Sequence, residues 1–361
     1  MMHPKLERAA LVIVALLGLP LLGLGNALAQ EATPAAAVSG EINLMAYASE
    51  FRDNYTQAVV TPCADELGIT VNYVDGNSSA EMLAQLRTQK DDPQIDVALM
   101  DVSIAAIGNT EQLFQPLDPA VVTNLENLYE NAITAGNYGP AVTFDHLVLI
   151  YNTELVQPAP TSWNALWDEQ FAGKVVLTAP PDIQGLALTI ITNQMEGADY
   201  TQTIDPAIAK LAELAPRVLT FDPQPEQYTI VTNGDGALAV GWNARAQLYS
   251  DQSDGRLGVV LPEEGSIFQV NTINLVNGAP NAAAAQAFIN CALGAEAQAR
   301  FADTMFYAPV NSEAKVSEDV LARTASSPEL VEKMIPVDWA VIGEVRDDWL
   351  DRWRREVITG S

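Results

Sequence analysis

Histidine is nearly absent from this 361-residue chain, with only His3 and His146, and cysteine is equally scarce, with Cys63 and Cys291. One histidine beyond the first few residues removes the Ser/His/Asp and Cys/His routes to catalysis and most zinc sites, so no metal or other cofactor is expected. His146 lies in the apolar stretch 143–151 and reads as a buried structural imidazole. Positive charge is also short: 18 Lys and Arg stand against 46 Asp and Glu, a formal charge of -28. Such a surface repels phosphate backbones and no basic patch relieves it, which excludes nucleic acid as a partner. The acidity is read as a solubility feature.

Long hydrophobic runs are missing too, apart from one at 9–24. That run follows Lys5 and Arg8 and leads into Ala27-Leu28-Ala29, the charged, greasy and small-residue order of a secretory signal peptide over 1–29. Cleavage after Ala29 is expected, with an uncleaved anchor left open, and would leave a net charge of -29. No cysteine stands at the cleavage point, so lipid anchoring is not expected. Residues 30–40 lack periodicity and large side chains and read as a disordered tether. The remainder is long enough for roughly two domains of ~150 residues.

Past the tether, short apolar runs alternate with helical periodicity, the signature of an α/β fold around a mostly parallel sheet. Strands are predicted at 42–47, 69–74 and 95–100. A helix over 51–67 repeats Tyr55, Val59, Val60, Cys63 and Leu67 at three- and four-residue steps, with Gly68 as its stop. Ser78-Ser79-Ala80-Glu81 is a capping box that opens a helix to about Thr88. A second block starts near Asn137, with strands at 147–151, 174–177, 217–221, 237–242 and 257–261. Its helices begin at 162–163 and near 182. A strand at 271–276, an alanine-rich helix over 281–301 and terminal helices with Trp339, Trp349 and Trp353 as packing residues complete the reading.

Several pieces of the chain, weak singly, are specific in their order. They are Asn77-Ser78-Ser79-Ala80-Glu81, Gln115-Pro116-Leu117-Asp118, Tyr151-Asn152, Ser162-Trp163-Asn164-Ala165-Leu166-Trp167, Gly173-Lys174, Gly241-Trp242-Asn243, Glu264-Gly265-Ser266-Ile267-Phe268 and Phe306-Tyr307-Ala308-Pro309-Val310-Asn311. In them the chain resembles bacterial extracellular solute-binding proteins of the spermidine/putrescine-binding type, over nearly its whole mature length. The resemblance implies a two-lobed periplasmic-binding-protein-like fold with crossing hinge strands and a ligand cleft between lobes. Lobe one would be 41–138 with 268–308, and lobe two 139–267 with 309–361. It implies a non-enzymatic component of an ABC importer at the periplasmic or extracellular face, a monomer that closes over a small-molecule solute and docks on an inner-membrane permease.

Carried over position by position, the resemblance places cleft aromatics at Tyr47, Trp242 and Tyr307, suited to a flat or cationic ligand. The acidic residue that anchors a polyamine falls on Asn271 and its neighbouring tryptophan on Gln269, so a neutral amide stands where a carboxylate would balance an ammonium. Asp101, Asp145 and Asp182 are the replacement carboxylates, Asp182 having also a helix-capping reading. Asn77, Ser78, Thr143 and Gln184 complete the ligand set, the last at a helix start before Gly185. Trp163 and Trp167 read as a packing pair. A polyamine-like or other amine-bearing solute is favoured, with phosphonate, thiamine-like or sugar-like solutes, an exported enzyme and a ligand sensor as alternatives. No Tyr-Tyr pair exists for an iron site of the kind some related proteins use. Cys63 and Cys291 fall on helices of one lobe in an oxidising compartment, and the sequence leaves a disulfide and two buried thiols both open.

Overall fold

The structure, a computed structural model, describes residues 40–360; the predicted signal peptide and residues 30–39 of the tether lie outside the described residues. Ten strands follow in chain order: β1 (Glu41–Tyr47), β2 (Thr70–Gly76), β3 (Val97–Asp101), β4 (Phe114–Gln115), β5 (Ala141–Asn152), β6 (Val175–Val176), β7 (Val218–Thr220), β8 (Leu238–Trp242), β9 (Leu257–Val260) and β10 (Phe268–Val276). They pair in the order β2-β1-β3-β10-β5-β8-β6-β7, with β4 on β10 and β9 on β5. The β1 pairings with β2 and β3 are parallel, as the alternating pattern predicts, whereas β10 runs antiparallel to both β3 and β5.

The helices up to residue 305 are α1 (Glu50–Tyr55), α2 (Thr61–Leu67), α3 (Ser79–Thr88), α4 (Val102–Thr110), α5 (Ile183–Met195), α6 (Asp205–Leu214), α7 (Gln227–Asn233), α8 (Asn243–Gln252), α9 (Ala282–Ala292) and α10 (Ala295–Met305). Beyond them the chain ends in α11 (Glu318–Arg323), α12 (Pro328–Val331) and α13 (Trp339–Arg352).

The helix predicted over 51–67 runs continuously from α1 into α2, and between them it widens into a π-helical stretch, Thr56–Val60. Its cause is Pro62 in the first turn of α2: proline has no N–H to give to the carbonyl of Ala58 four residues back. Arg300 fills the gap, its Nε donating to that carbonyl at 2.9 Å. Gly68, in the left-handed region at φ 65°, ends α2 where the sequence predicts a stop. The capping box is half realised, because Ser78 Oγ accepts from Glu81 N while the Glu81 carboxylate turns to Asn77. The helix predicted at Trp163 shrinks to a 3-10 turn, Trp163–Trp167. Its two indoles bond to different carbonyls, those of Gly265 and Lys210.

Buried apolar side chains gather in two main clusters. One holds Ile42, Leu44, Val97 and Phe144 from the first part of the chain, with Ile273, Phe288 and Val310. The other holds Leu147, Leu149, Trp163, Ile190 and Ile267, with Trp349 and Trp353 from the C terminus. Trp353 is fully buried and donates its indole N–H to Thr189 Oγ1 at 2.8 Å, so the terminal tryptophans pack as the sequence predicts. Strand β5 feeds the first cluster up to Phe144 and the second from Leu147, and the neighbouring chain changes over between Ile267, just before β10, and Phe268, which packs against the first cluster.

Cys63 on α2 and Cys291 on α9 are joined by a disulfide with Cα atoms 5.8 Å apart, closing a loop over 228 residues of sequence. Cross-linking so distant a pair removes chain entropy from the unfolded state. The Cys63→Ser/Cys291→Ser double variant is expected to lose ~2–4 kcal/mol of unfolding free energy in denaturant titration. Alkylation of the denatured, unreduced protein should add no label; two labels would contradict the pairing.

Candidate functional site

The strands β5 and β10 cross side by side, with Asp145 opposite Gln269 and Thr143 opposite Asn271. Successive side chains of a strand face opposite ways, so the pair presents two linings. Phe144, Phe268 and Val270 go to a cavity of about 790 Å³ walled by Ile133, Met334 and Trp339. Asp145, Gln269 and Asn271 go to a second cavity of about 320 Å³. The second is smaller, but polar groups converge on it from many separate elements, which marks a ligand site better than volume does.

Tyr47, at the end of β1, forms one wall with Phe51 from α1, Asn77 after β2 and Tyr307 after α10. The facing wall comes from Asp182 and Gln184 at the start of α5, Trp242 at the end of β8 and Arg245 in the first turn of α8. Strand C-termini and helix N-termini thus surround the cavity, as expected for a crevice in an open α/β sheet. Ser49, also in the lining, sits at φ 60° and ψ -142°, a strained conformation for a residue with a Cβ.

The ring wall is fixed by its own contacts. Tyr47 meets Phe51 edge-on at 5.4 Å, and Tyr307 stacks on Phe301 at 5.2 Å. The Tyr47 hydroxyl lies 2.7 Å from Ser79 Oγ and donates to Asn271 Oδ1 at 3.0 Å. Asn271 Nδ2 donates in turn to Thr143 Oγ1 at 3.0 Å. Asn271 therefore spends its amide on orienting Tyr47. Burial pushes the pKa of both phenols far above the usual tyrosine range, so they stay neutral hydrogen-bonding groups. Opposite them, Gly241 lets the Tyr228 ring approach so closely that an added Cβ would lie 2.8 Å from it. Tyr228 Oη then accepts from Trp242 N at 2.7 Å and holds that strand end in place.

Asp145 is buried to 1% exposure on β5. Its Oδ1 accepts from His146 N at 2.8 Å and from Ala244 N, in the first turn of α8, at 3.1 Å. Its Oδ2 has no partner among the described residues. Desolvation pushes this carboxyl up to about 7, against the helix amides that pull it down. One residue past Ala244, Arg245 keeps 41% of its side chain exposed and donates through Nη1 to Glu226 at 3.0 Å.

Of the predicted ligand set, the cavity takes Tyr47, Asn77, Asp145, Asp182, Gln184, Trp242, Gln269, Asn271 and Tyr307. Three others stand behind it. Ser78 is the cap of α3. Thr143 supports Asn271. Asp101 caps α4, its Oδ1 accepting from Ser103 N at 2.9 Å, instead of reaching the cavity from the end of β3. Asp182 caps α5, accepting from Gln184 N at 2.8 Å, and lines the cavity as well. Ser49, Phe51, Arg245 and Met305 were not among the predicted residues. Arg245 had a signal: it is a rare cation placed three residues after Trp242, at a strand-to-helix junction.

With this geometry in hand, the chain matches the bacterial extracellular solute-binding protein family over residues 58–327. It is 26% identical over 272 residues to the spermidine/putrescine-binding periplasmic protein of Escherichia coli, covering 73% of this chain and 75% of that protein. It is 25% identical over 339 residues to the gamma-aminobutyric acid-binding protein of Pseudomonas aeruginosa, covering 89% and 93%. The crystal structure of an ABC transporter protein from Clostridium perfringens superposes with a TM-score of 0.72 at 25% identity, covering 87% of this chain and 99% of that one. The fold is accordingly the two-lobed α/β architecture of periplasmic binding proteins.

The two buried titratable groups of the crossing strand act oppositely on stability. His146 is pushed down from 6.5 to about 3 by burial, so its contribution is whole above pH 6.5 and is lost as pH falls toward 3. Asp145 is raised from 3.8 to about 7, so its contribution is whole below pH 3.8 and is lost as pH rises through about 7. Asp145→Asn keeps the acceptor oxygen and removes the charge. The melting temperature of the ligand-free variant relative to the parent should therefore be higher at pH 8 than at pH 4; a difference independent of pH would contradict the assignment.

Proposed function

The chain belongs to the bacterial extracellular solute-binding protein family, and from that premise we propose that it captures a small, amine-bearing organic solute for an ABC importer by closing two lobes over it. Family membership makes it a binding protein and not an enzyme. The observation that carries the solute reading is Asp145, a carboxylate with one buried oxygen left without a partner, in the lining of a cavity with aromatic rings, which is where a cationic group would be held. The relatives named for spermidine/putrescine and for gamma-aminobutyric acid, all amine-bearing compounds, support the same choice.

The lobe boundaries belong to this reading. Lobe one takes 41–138 and 268–308, lobe two takes 139–267 and the C-terminal segment, and the crossing segments near 144–147 and 267–270 serve as the hinge. The apolar clusters support this division with two adjustments: Ala141, Val142 and Phe144 pack in the first cluster, which moves the first changeover past 144, and Val310 packs there too, which moves the last one past 310. The signal peptide over 1–29 would deliver the mature chain to the periplasmic or extracellular face, where it acts as a monomer and its closed form docks on the membrane permease. Asn77, Asp182, Gln184, Trp242, Gln269 and Tyr307 contact the solute in this account, with Ser78, Asp101 and Thr143 as supports.

Anything that binds only the folded state stabilises it, by about 2.7 kcal/mol at a hundredfold excess over Kd. A thermal-shift screen of polyamines, amino acids and aminophosphonates should therefore raise Tm for at least one compound. Trp242→Ala should abolish that rise, read against the variant's own ligand-free Tm, because the indole also packs against the second apolar cluster. A flat response to every compound would contradict the solute-binding assignment.

A further inference from the structure

Asp145 and Arg245 together say more about the solute than either does alone. The carboxylate is tied through Oδ1 to the backbone N–H of Ala244 at 3.1 Å, and Arg245 is the next residue of the same helical turn. Both line the 320 Å³ cavity, yet they are not paired with each other: the ion partner of Arg245 is Glu226. Glu226 takes Nη1 and also accepts from the Tyr249 hydroxyl. The cavity lining thus holds a carboxylate with one buried, unpartnered oxygen and, in the next turn of chain packed against it, a guanidinium whose planar edge suits a carboxylate or phosphonate.

Resting on the solute-binding reading, we propose that the solute is a compact zwitterion, its ammonium held by Asp145 Oδ2 and its acidic group by the Arg245 guanidinium. A diamine fits poorly, since its second ammonium would meet Arg245. Because both binding groups are anchored at one turn of α8, the spacer between the ligand charges is short, as in an ω-amino acid or aminophosphonate. Such a ligand neutralises the site as a unit and leaves neither buried charge unmatched. Burial raises the Asp145 carboxyl to about 7 when no cation is present, so capture of the ammonium near that pH releases a proton.

The test is calorimetric titration of the mature protein with four probes: gamma-aminobutyrate, 2-aminoethylphosphonate, putrescine and butyrate. At least one of the two zwitterions should bind about tenfold or more tightly than putrescine or butyrate, the scale of one hydrogen bond to a charged group. Arg245→Gln should weaken the zwitterion by about tenfold or more and leave putrescine unchanged or improved. Since that variant strands the Glu226 carboxylate, Arg245→Gln/Glu226→Gln serves as the second variant and should show the same selective loss with the ligand-free Tm retained. Putrescine binding more tightly than both zwitterions, or zwitterion affinity unchanged in the double variant, overturns the inference but not the solute-binding reading. No heat or Tm shift with any of the four, nor with a wider set of amines and amino acids, overturns both.

Discussion

Everything at this site depends on the register in which β5 pairs with β10. Asp145, Gln269 and Asn271 face the polar cavity only because Phe144, Phe268 and Val270 face the other way. A slip of one residue would exchange the two sets and put phenyl rings where the carboxylate now stands. The register is held from both sides: Leu275 and Ile273 are locked against β3, and Leu147 to Tyr151 against β8. Between Asn271 and Thr272 the register shifts, and the pairing resumes with Thr272 opposite Ala141.

The same register forces a polar group into a nearly dry place, and the surrounding structure is arranged to tolerate it. A buried carboxylate is costly unless its oxygens are occupied. Backbone amides of His146 and α8 occupy one oxygen of Asp145, and nothing in the described structure occupies the other. The aromatic wall, by contrast, is held by its own contacts. Tyr47, Asn271, Thr143 and Ser79 form one continuous hydrogen-bonded chain, and the rings of Phe51, Phe301 and Tyr307 pack edge and face against each other. A wall held by its own contacts beside the partly unpartnered Asp145 is the arrangement of a preorganised binding site, in which the incoming ligand supplies the missing partner.

The strands were legible in the sequence because hydrophobic periodicity and short β-branched runs are local signals: β1, β2, β3 and β8 lie within a few residues of their predicted spans. Gly68 and the Ser78 cap were legible for the same reason, being choices a chain makes over four or five residues. The π-helical widening at Thr56–Val60 was not. Its rescue depends on Arg300, which approaches from 242 residues away. Asp101 departs from the rule that a residue ending a central strand points into the crevice; its carboxylate instead turns to the nearest free amide, that of Ser103. Arg245 has no place among the residue types a polyamine needs, although a cation at a strand-to-helix junction of so acidic a chain is a signal in its own right.

The central claim is that the cavity at the crossing strands is where a solute draws the two halves of the molecule together. Small-angle scattering of the mature protein with and without saturating gamma-aminobutyrate measures that movement directly. The account predicts a smaller radius of gyration with ligand, and no such change in Asp145→Asn at the same concentration. Calorimetrically confirmed binding with an unchanged radius, or contraction that persists in the variant, would contradict it.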